Sequence, residues 1–179
     1  MLNKAAKWVK EAMTDIYNSL PFRMKGADSD NGSEFINEIM LAWCNEHEVT
    51  FTRSRPYKKN DNCFVEQKNG AVVRGAVGYY RFEGQAMRDA LAAVYEAYCP
   101  LLNYFYPCSK LLAKERVGMK VKKTREVPKP PFQRLLQRSD VSDEVKQELI
   151  RRKSRLNLVE QKRIFERALE KLMALVHDK

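Results

Sequence analysis

Two acidic side chains, Asp30 and Glu66, sit where carboxylates commonly do chemistry. Asp30 belongs to the string ADSDNGSEF, at the end of a short strand expected over 22–29 and beside an Asn31-Gly32 turn signal. A side chain at a strand end next to a tight turn projects into a cleft. Glu66 lies in the opening turn of a helix expected over about 62–81, at the margin of its apolar face, with Asn69 one turn later on the same side. Thirty-five residues lie between the two carboxylates. Carboxylates delivered by separate elements can hold divalent metal ions, which prefer oxygen ligands. Two such ions can activate an attacking hydroxyl and stabilise the leaving oxygen at a phosphodiester. Taken one at a time, each residue also has a plain structural reading. Asp30 can be a turn aspartate that caps a helix. Glu66 can be a solvated glutamate favoured in a first turn by the helix dipole. Asn69 either positions a metal-bound substrate or is a surface residue.

Between the carboxylates runs RSRPYKKNDN, residues 53–62, with no helical or strand period. It reads as an exposed loop. Arg53, Arg55, Lys58 and Lys59 either keep that loop solvated or, beside a phosphodiester site, hold the DNA backbone, and DNA contact is the favoured reading. Tyr57 can stack on a base or pack, and packing is expected. A second basic stretch, residues 111–138, carries nine Lys or Arg against two Glu, a net charge of +7 out of +10 for the whole chain. Lys120, Lys122, Lys123 and Arg125 are its candidates for DNA contact, because clustered positive charge suits phosphate. The alternative is a solvated linker without a ligand. The run KERVGMKVKKTREVPKPP ends in prolines and reads as a linker in either case.

Helices and strands must position these groups. Trp8, Val9, Ala12, Met13, Ile16, Tyr17 and Leu20 recur at steps of three and four and predict a helix over 4–20. A second helix, with Ser33 as its expected N-cap, should bury Phe35, Ile36, Ile39, Met40, Trp43 and Cys44, and a brief strand comes after it at 49–52. The helix over 62–81 carries Val65, Val72, Val73, Ala76, Val77 and Tyr80 on its apolar face, and one over 84–99 carries Met87, Leu91, Val94, Tyr95 and Tyr98. Pro100 and Pro107 should break or kink the chain beyond that helix. Two last helices are expected over 142–154 and 158–176, capped by Ser142 and Asn157. Their stripe is Leu149, Ile150, Leu158, Val159, Ile164, Leu169, Leu172 and Met173.

The composition excludes several classes. With 44% hydrophobic and 31% charged residues, the 179-residue chain can bury a core and is no disordered tail. No run of about 18 apolar residues exists to span a bilayer, and the first residues lack a signal-peptide core. A cytoplasmic location away from the membrane is expected. Cys44, Cys63, Cys99 and Cys108 form no CxxC pair, and His47 and His177 are far apart, so a zinc finger is not expected and free thiols are.

The string DSDNGSEF, the 35-residue gap and RSRPYKKNDNCFVEQKN closing on Glu66 together resemble the integrase-core, DDE-type transposases of bacterial insertion sequences. The stretch PPFQRLLQRSDVSDEV resembles, more loosely, their post-catalytic region. The resemblance implies an α/β fold: part of an RNase H-like integrase catalytic core over 1–106, a basic proline-containing linker over 107–131 and a helical region over 132–179. It makes Asp30 and Glu66 the second and third acidic residues of a metal-binding catalytic triad. It implies Mg²⁺ or Mn²⁺ as cofactor, transposon ends and target DNA as partners, and a homo-oligomer. In this family the first triad aspartate lies on a strand before the helix with which this sequence opens. Asp28 shares a strand face with Asp30 but cannot replace a ligand from a neighbouring strand. The chain alone is therefore expected to be inactive and prone to self-association. The alternative is a non-catalytic DNA-binding or regulatory form of such a transposase.

Overall fold

A computed structural model describes residues 5–29, 37–55, 57, 58, 61 and 63–177. Asp30, Lys59, the Asn31-Gly32 turn, Ser33, Phe35 and Ile36 lie outside the described residues. The fold is broadly α/β and divides into two compact units, Met1–Arg88 and Asp89–Lys179.

The first unit is built on a strand–helix–strand crossover. Helix α1 (Ala6–Ser19) precedes β1 (Gly26–Ser29), α2 (Glu38–Glu46) and β2 (Thr50–Arg53). The strands pair in parallel, with Gly26 opposite Thr50 and Ser29 opposite Arg53. A parallel pair needs a crossover connection, which α2 occupies here. The N-cap of α2 is Asn37, whose Oδ1 accepts the Met40 N–H at 3.0 Å. That cap phases the helix so that Met40, Trp43 and Cys44 point inward. They join Val9 and Val49 in the core, with Met13, Tyr17, Met24, Ala27 and Phe51 packed around them. Ile39, expected to be buried, falls outside the arc of these inward positions and is exposed. Burial pushes the Cys44 thiol pKa upward, as suits a core cysteine.

Trp43 is the hub of this core. Its indole N–H donates to Thr14 Oγ1 at 3.0 Å, it stacks on His47 at 4.4 Å between centroids, and Tyr17 meets it edge-on at 5.8 Å. The His47 ring is held by a 2.9 Å contact from Nδ1 to the Trp43 carbonyl.

After β2 the chain runs through a loop into α3 (Cys63–Lys68), a π-helical segment Asn69–Arg74 and the short α4 (Gly75–Val77). These three correspond to the helix expected over 62–81. It stops early because Gly78 takes φ +75°, a left-handed conformation that ends helices. Val77 is buried, whereas Val73 and Tyr80 are exposed. The π-helical segment inserts a wider turn, which shifts the phase of residues beyond it and breaks the expected apolar stripe.

The unit boundary falls inside α5 (Gly84–Pro100), which passes directly into a π-helical turn, Leu101–Phe105. Pro100 has no N–H to donate back along the helix, and the wider turn accommodates that loss. The second unit continues with a hairpin of β3 (Leu111–Val117) and β4 (Lys120–Arg125), then α6 (Pro131–Leu136), α7 (Asp143–Ser154) and α8 (Leu158–His177). Val94, Ala97, Leu101, Leu149 and Leu172 are its buried residues, with Val141 close behind. Tyr98 stacks on Phe165 at 4.8 Å, Lys153 Nζ lies 3.6 Å from the Phe105 ring centroid, and Gln161 donates to the Ala97 carbonyl at 3.0 Å. Ile150, Leu158, Val159 and Ile164 from the expected stripe are exposed.

The stretch read as a linker is structured over 111–125 as an antiparallel hairpin. The turn explains it. Gly118 alone of the two loop residues takes positive φ, at +61°, the arrangement whose twist matches paired strands.

Ser142 and Asn157 cap their helices as expected. Ser142 Oγ accepts the Val145 N–H at 3.4 Å, and Asn157 Oδ1 accepts those of Val159 and Glu160 at 2.9 and 3.1 Å. Asn157→Ala should destabilise α8 by about 1 kcal/mol, a typical N-cap loss. Ser142→Ala should cost less because its bond is long. Faster hydrogen exchange in the first turn of each helix is the check.

Candidate functional site

The parallel pairing of β1 and β2 brings their C-terminal ends to one edge. Ser29 and Ser54 are both buried there, and Ser54 N–H donates to the Ser29 carbonyl at 3.1 Å, extending the pairing past β2. In open α/β sheets the carboxyl ends of the strands are where ligands are bound. Asp30 follows Ser29 in the chain, and the basic loop follows Ser54.

Asp28 lies in β1, exposed, and accepts a 2.7 Å bond from Thr52 Oγ1 across the pair. It is thus a cross-strand structural residue. Arg53 ends β2 and is exposed.

Arg55 is organised by Asp61. Its Nε and Nη2 donate to the two carboxylate oxygens at 2.6 and 3.0 Å, and its backbone N–H reaches Oδ2 at 3.3 Å. This bidentate pair closes the loop, helped by backbone bonds from Lys58 N–H to Arg55 O (3.2 Å) and from Asp61 N–H to Lys58 O (3.0 Å). The Arg55 guanidinium holds the Asp61 carboxyl below its ordinary pKa, and Asp61 raises that of Arg55. So the pairing should persist throughout the neutral and mildly acid range. It should be lost only as pH falls below the ordinary carboxylate value, when Asp61 takes up a proton. An NMR titration of the Arg55 Nε signal checks this: a change centred at or above the usual aspartate range would contradict it.

Tyr57, for which packing was expected, is fully exposed, with φ +60°. The left-handed backbone turns its side chain out of the loop. Lys58 is exposed beside it.

Glu66 sits in the first turn of α3, exposed, and Asn69 opens the π-helical segment one turn later, also exposed. The first unit therefore brings Arg53, Arg55, Lys58, Glu66 and Asn69 onto one loop–helix passage. Among the described residues no group of three His, Cys, Asp or Glu side chains comes together as a metal site.

Lys120, Lys122, Lys123 and Arg125 lie on β4 in the second unit, all exposed. Two basic residues that sequence reasoning missed, Lys114 and Arg116, lie on β3, with Lys114 directly opposite Lys123. The alternation of basic residues around Gly118 carried that signal. The Arg55–Asp61 pair was also missed, and only the closed loop reveals it.

No protein-family model matches the chain. An uncharacterized protein, y4rM of Sinorhizobium fredii (strain NBRC 101917 / NGR234), is 42% identical over 123 residues. The match covers 69% of this chain and 35% of that protein, so the chain spans about a third of its relative's length. Among the described residues no helix is long and apolar enough to cross a membrane.

Proposed function

We propose that this chain is a segment of a DDE-type transposase or integrase, a protein that cuts DNA ends and joins a 3′ hydroxyl to target DNA. The observation that carries the reading is the coupling of two worded motifs, DSDNGSEF and KKNDNCFVEQKN, to the ends of a parallel strand pair. One motif continues directly from β1. The other leads from β2, through the loop closed by Arg55 and Asp61, into the helix that carries Glu66. An RNase H-like core belongs to this proposal.

Asp30 and Glu66 offer the oxygen ligands that Mg²⁺ or Mn²⁺ prefers, and they would hold the metal together with a third carboxylate. The metal would supply Lewis-acid stabilisation at the phosphodiester. The chain's own residues would position DNA. Arg53 and Lys58 would contact phosphate, Arg55 would hold the loop in shape, and Asn69 would orient the substrate beside Glu66.

The test is a strand-transfer assay with a labelled DNA end in Mg²⁺. It compares this chain with a form extended by whatever is encoded immediately upstream. Joined product from the extended form alone supports the reading. If no form nicks or joins DNA, and the upstream frames encode no strand bearing an aspartate, the catalytic reading fails.

One observation favours a second reading, a non-catalytic DNA-binding or regulatory protein: exposed cations gather on β4 and on the loop before α3. Its mark is salt-sensitive DNA binding without metal-dependent nicking.

A further inference from the structure

The β3–β4 hairpin is exposed along its whole length, on both faces. An isolated two-stranded ribbon is marginal in water, so its charge pattern needs a reason. The register sorts its cations by face. Lys114 lies directly opposite Lys123, and Arg116 opposite Val121. Arg125, two residues beyond Lys123, shares their face because side chains alternate along a strand. That face presents Lys114, Arg116, Lys123 and Arg125 and no acidic residue. The other presents Lys120 and Lys122, with Glu115 directly opposite Lys122.

Like charges directly opposite each other destabilise a strand pair, and Lys114 and Lys123 are in that position. None of the four cations is in an ion pair among the described residues. Arg116 Nε donates to the Gly118 carbonyl at 3.3 Å and Arg125 Nη1 to the Ser109 carbonyl at 3.2 Å, neutral acceptors that leave the charge uncompensated.

The base of the ribbon, by contrast, is pinned. Arg134 of α6 donates to Glu126, to the Cys108 carbonyl and, at 2.7 Å, to the Lys129 carbonyl. Its guanidinium holds the Glu126 carboxyl below the ordinary carboxylate range. Cys108 and Lys129 extend the pairing past the ribbon.

We infer that the face bearing Lys114, Arg116, Lys123 and Arg125 is a phosphate-binding face by which the ribbon lies on duplex DNA, without regard to sequence. A two-stranded ribbon fits a major groove about 12 Å wide. A duplex backbone supplies the dense negative charge that the Lys114–Lys123 pair lacks, and binding is driven by counterion release. The choice of DNA among polyanions rests on the function proposed above. The assignment of the face rests on the register alone.

The test is fluorescence anisotropy of the full chain with a labelled duplex of mixed sequence, without metal, in stepped NaCl. Replacing Lys114, Arg116, Lys123 and Arg125 with Gln should weaken binding at least about 10²-fold near physiological salt. It should also flatten the salt dependence by about 3 to 4 in slope. Lys120→Gln with Lys122→Gln should weaken binding less than about tenfold. Exchanging Lys for Arg and Arg for Lys on the four-cation face should keep it. Since the ribbon is open to solvent and the four Gln substitutions remove the Lys114–Lys123 repulsion, no variant should melt below the parent.

The inference is overturned if the four-residue variant binds like the parent, or if the Lys120/Lys122 variant loses as much. It is also overturned if the four-residue variant dissociates a dimer while DNA binding stays, which would make this face a protein interface. Strand transfer absent from every form, with the face dependence found, removes the proposed function and leaves this inference standing. Strand transfer present without the face dependence does the reverse.

Discussion

On the proposed strand-transfer function, Glu66→Gln should lower DNA joining at least about 10²-fold, the loss expected when a reacting group is misplaced by about an ångström. The substitution keeps size and helix propensity but replaces an anionic oxygen ligand with a neutral amide. Glu66 is exposed in the first turn of α3, so the change opens no cavity. A carboxylate in that turn also interacts favourably with the helix dipole, but this is worth only about 0.3–1 kcal/mol at an exposed site. Folding should therefore survive, and a lost reaction would report chemistry. The discriminating readout is the metal titration. If Glu66 holds the metal, the variant should need more Mg²⁺ or Mn²⁺ to reach its residual rate, while its affinity for DNA does not fall. Asn69→Ala offers a contrast: a positioning role predicts a slower reaction with the same metal requirement. Equal strand transfer by parent and Glu66→Gln would remove Glu66 from the chemistry.

The loop before α3 offers a smaller effect of opposite sign. Asp61 neutralises Arg55 and also closes the loop. Asp61→Asn should release one positive charge and raise affinity for DNA a few-fold, steepening the salt dependence by about 0.9 in slope. Anisotropy at two salt concentrations checks it. A weaker complex would show that the loop's shape matters more to binding than its charge.

Local signals are legible in the sequence, and those that depend on tertiary partners are not. Ser142 and Asn157 were legible as caps because a cap is decided by side chain and backbone within a few residues. Met40, Trp43 and Cys44 were legible as core because their spacing fits one helix face. Ile39, Val159 and Ile164 are equally apolar, and which apolar positions turn inward is settled by the packing partner. Serine is a strong cap former, which favoured Ser33 as the N-cap of α2, yet α2 begins only after Asn37.

The hairpin is hidden in the sequence for another reason. Its charge and nearby prolines resemble a linker, and its strands carry no apolar face, so the alternation that marks a half-buried strand is missing. Only Gly118 and the basic alternation around it hint at paired strands. In the candidate site, the positions of Glu66, Asn69 and Arg55 relative to strand and helix followed from the sequence, whereas Arg53, expected in the loop, ends β2. The pairing of Arg55 with Asp61 did not, because it depends on how the loop closes.

Trp43→Ala should destabilise the first unit by about 3–5 kcal/mol, the usual cost of deleting a buried aromatic side chain. Trp43 is 1% exposed, and three interactions end with it: the Thr14 hydrogen bond, the stack on His47 and the edge contact from Tyr17. These link α1 to α2, so the loss should reach beyond a local void. Domains are stable by only about 5–15 kcal/mol, so the variant should lose much of its margin. Trp43→Phe separates the contributions. It keeps most of the apolar volume and an aromatic face for His47, but gives up the N–H donated to Thr14. That loss should cost about 1–2 kcal/mol, combining a hydrogen bond with a small packing defect. Hydrogen exchange at the amides of β1 and β2 is the appropriate measurement, because it reports the opening of this unit without assuming that the whole chain melts as one. Protection in Trp43→Ala should fall by at least about two powers of ten, since each 1.4 kcal/mol is a factor of ten. Because β1 leads into Asp30 and β2 into the basic loop, on the proposed function the same variant should lose strand transfer together with strand protection. Loss of activity with strand protection intact would mean that this core does not position the site.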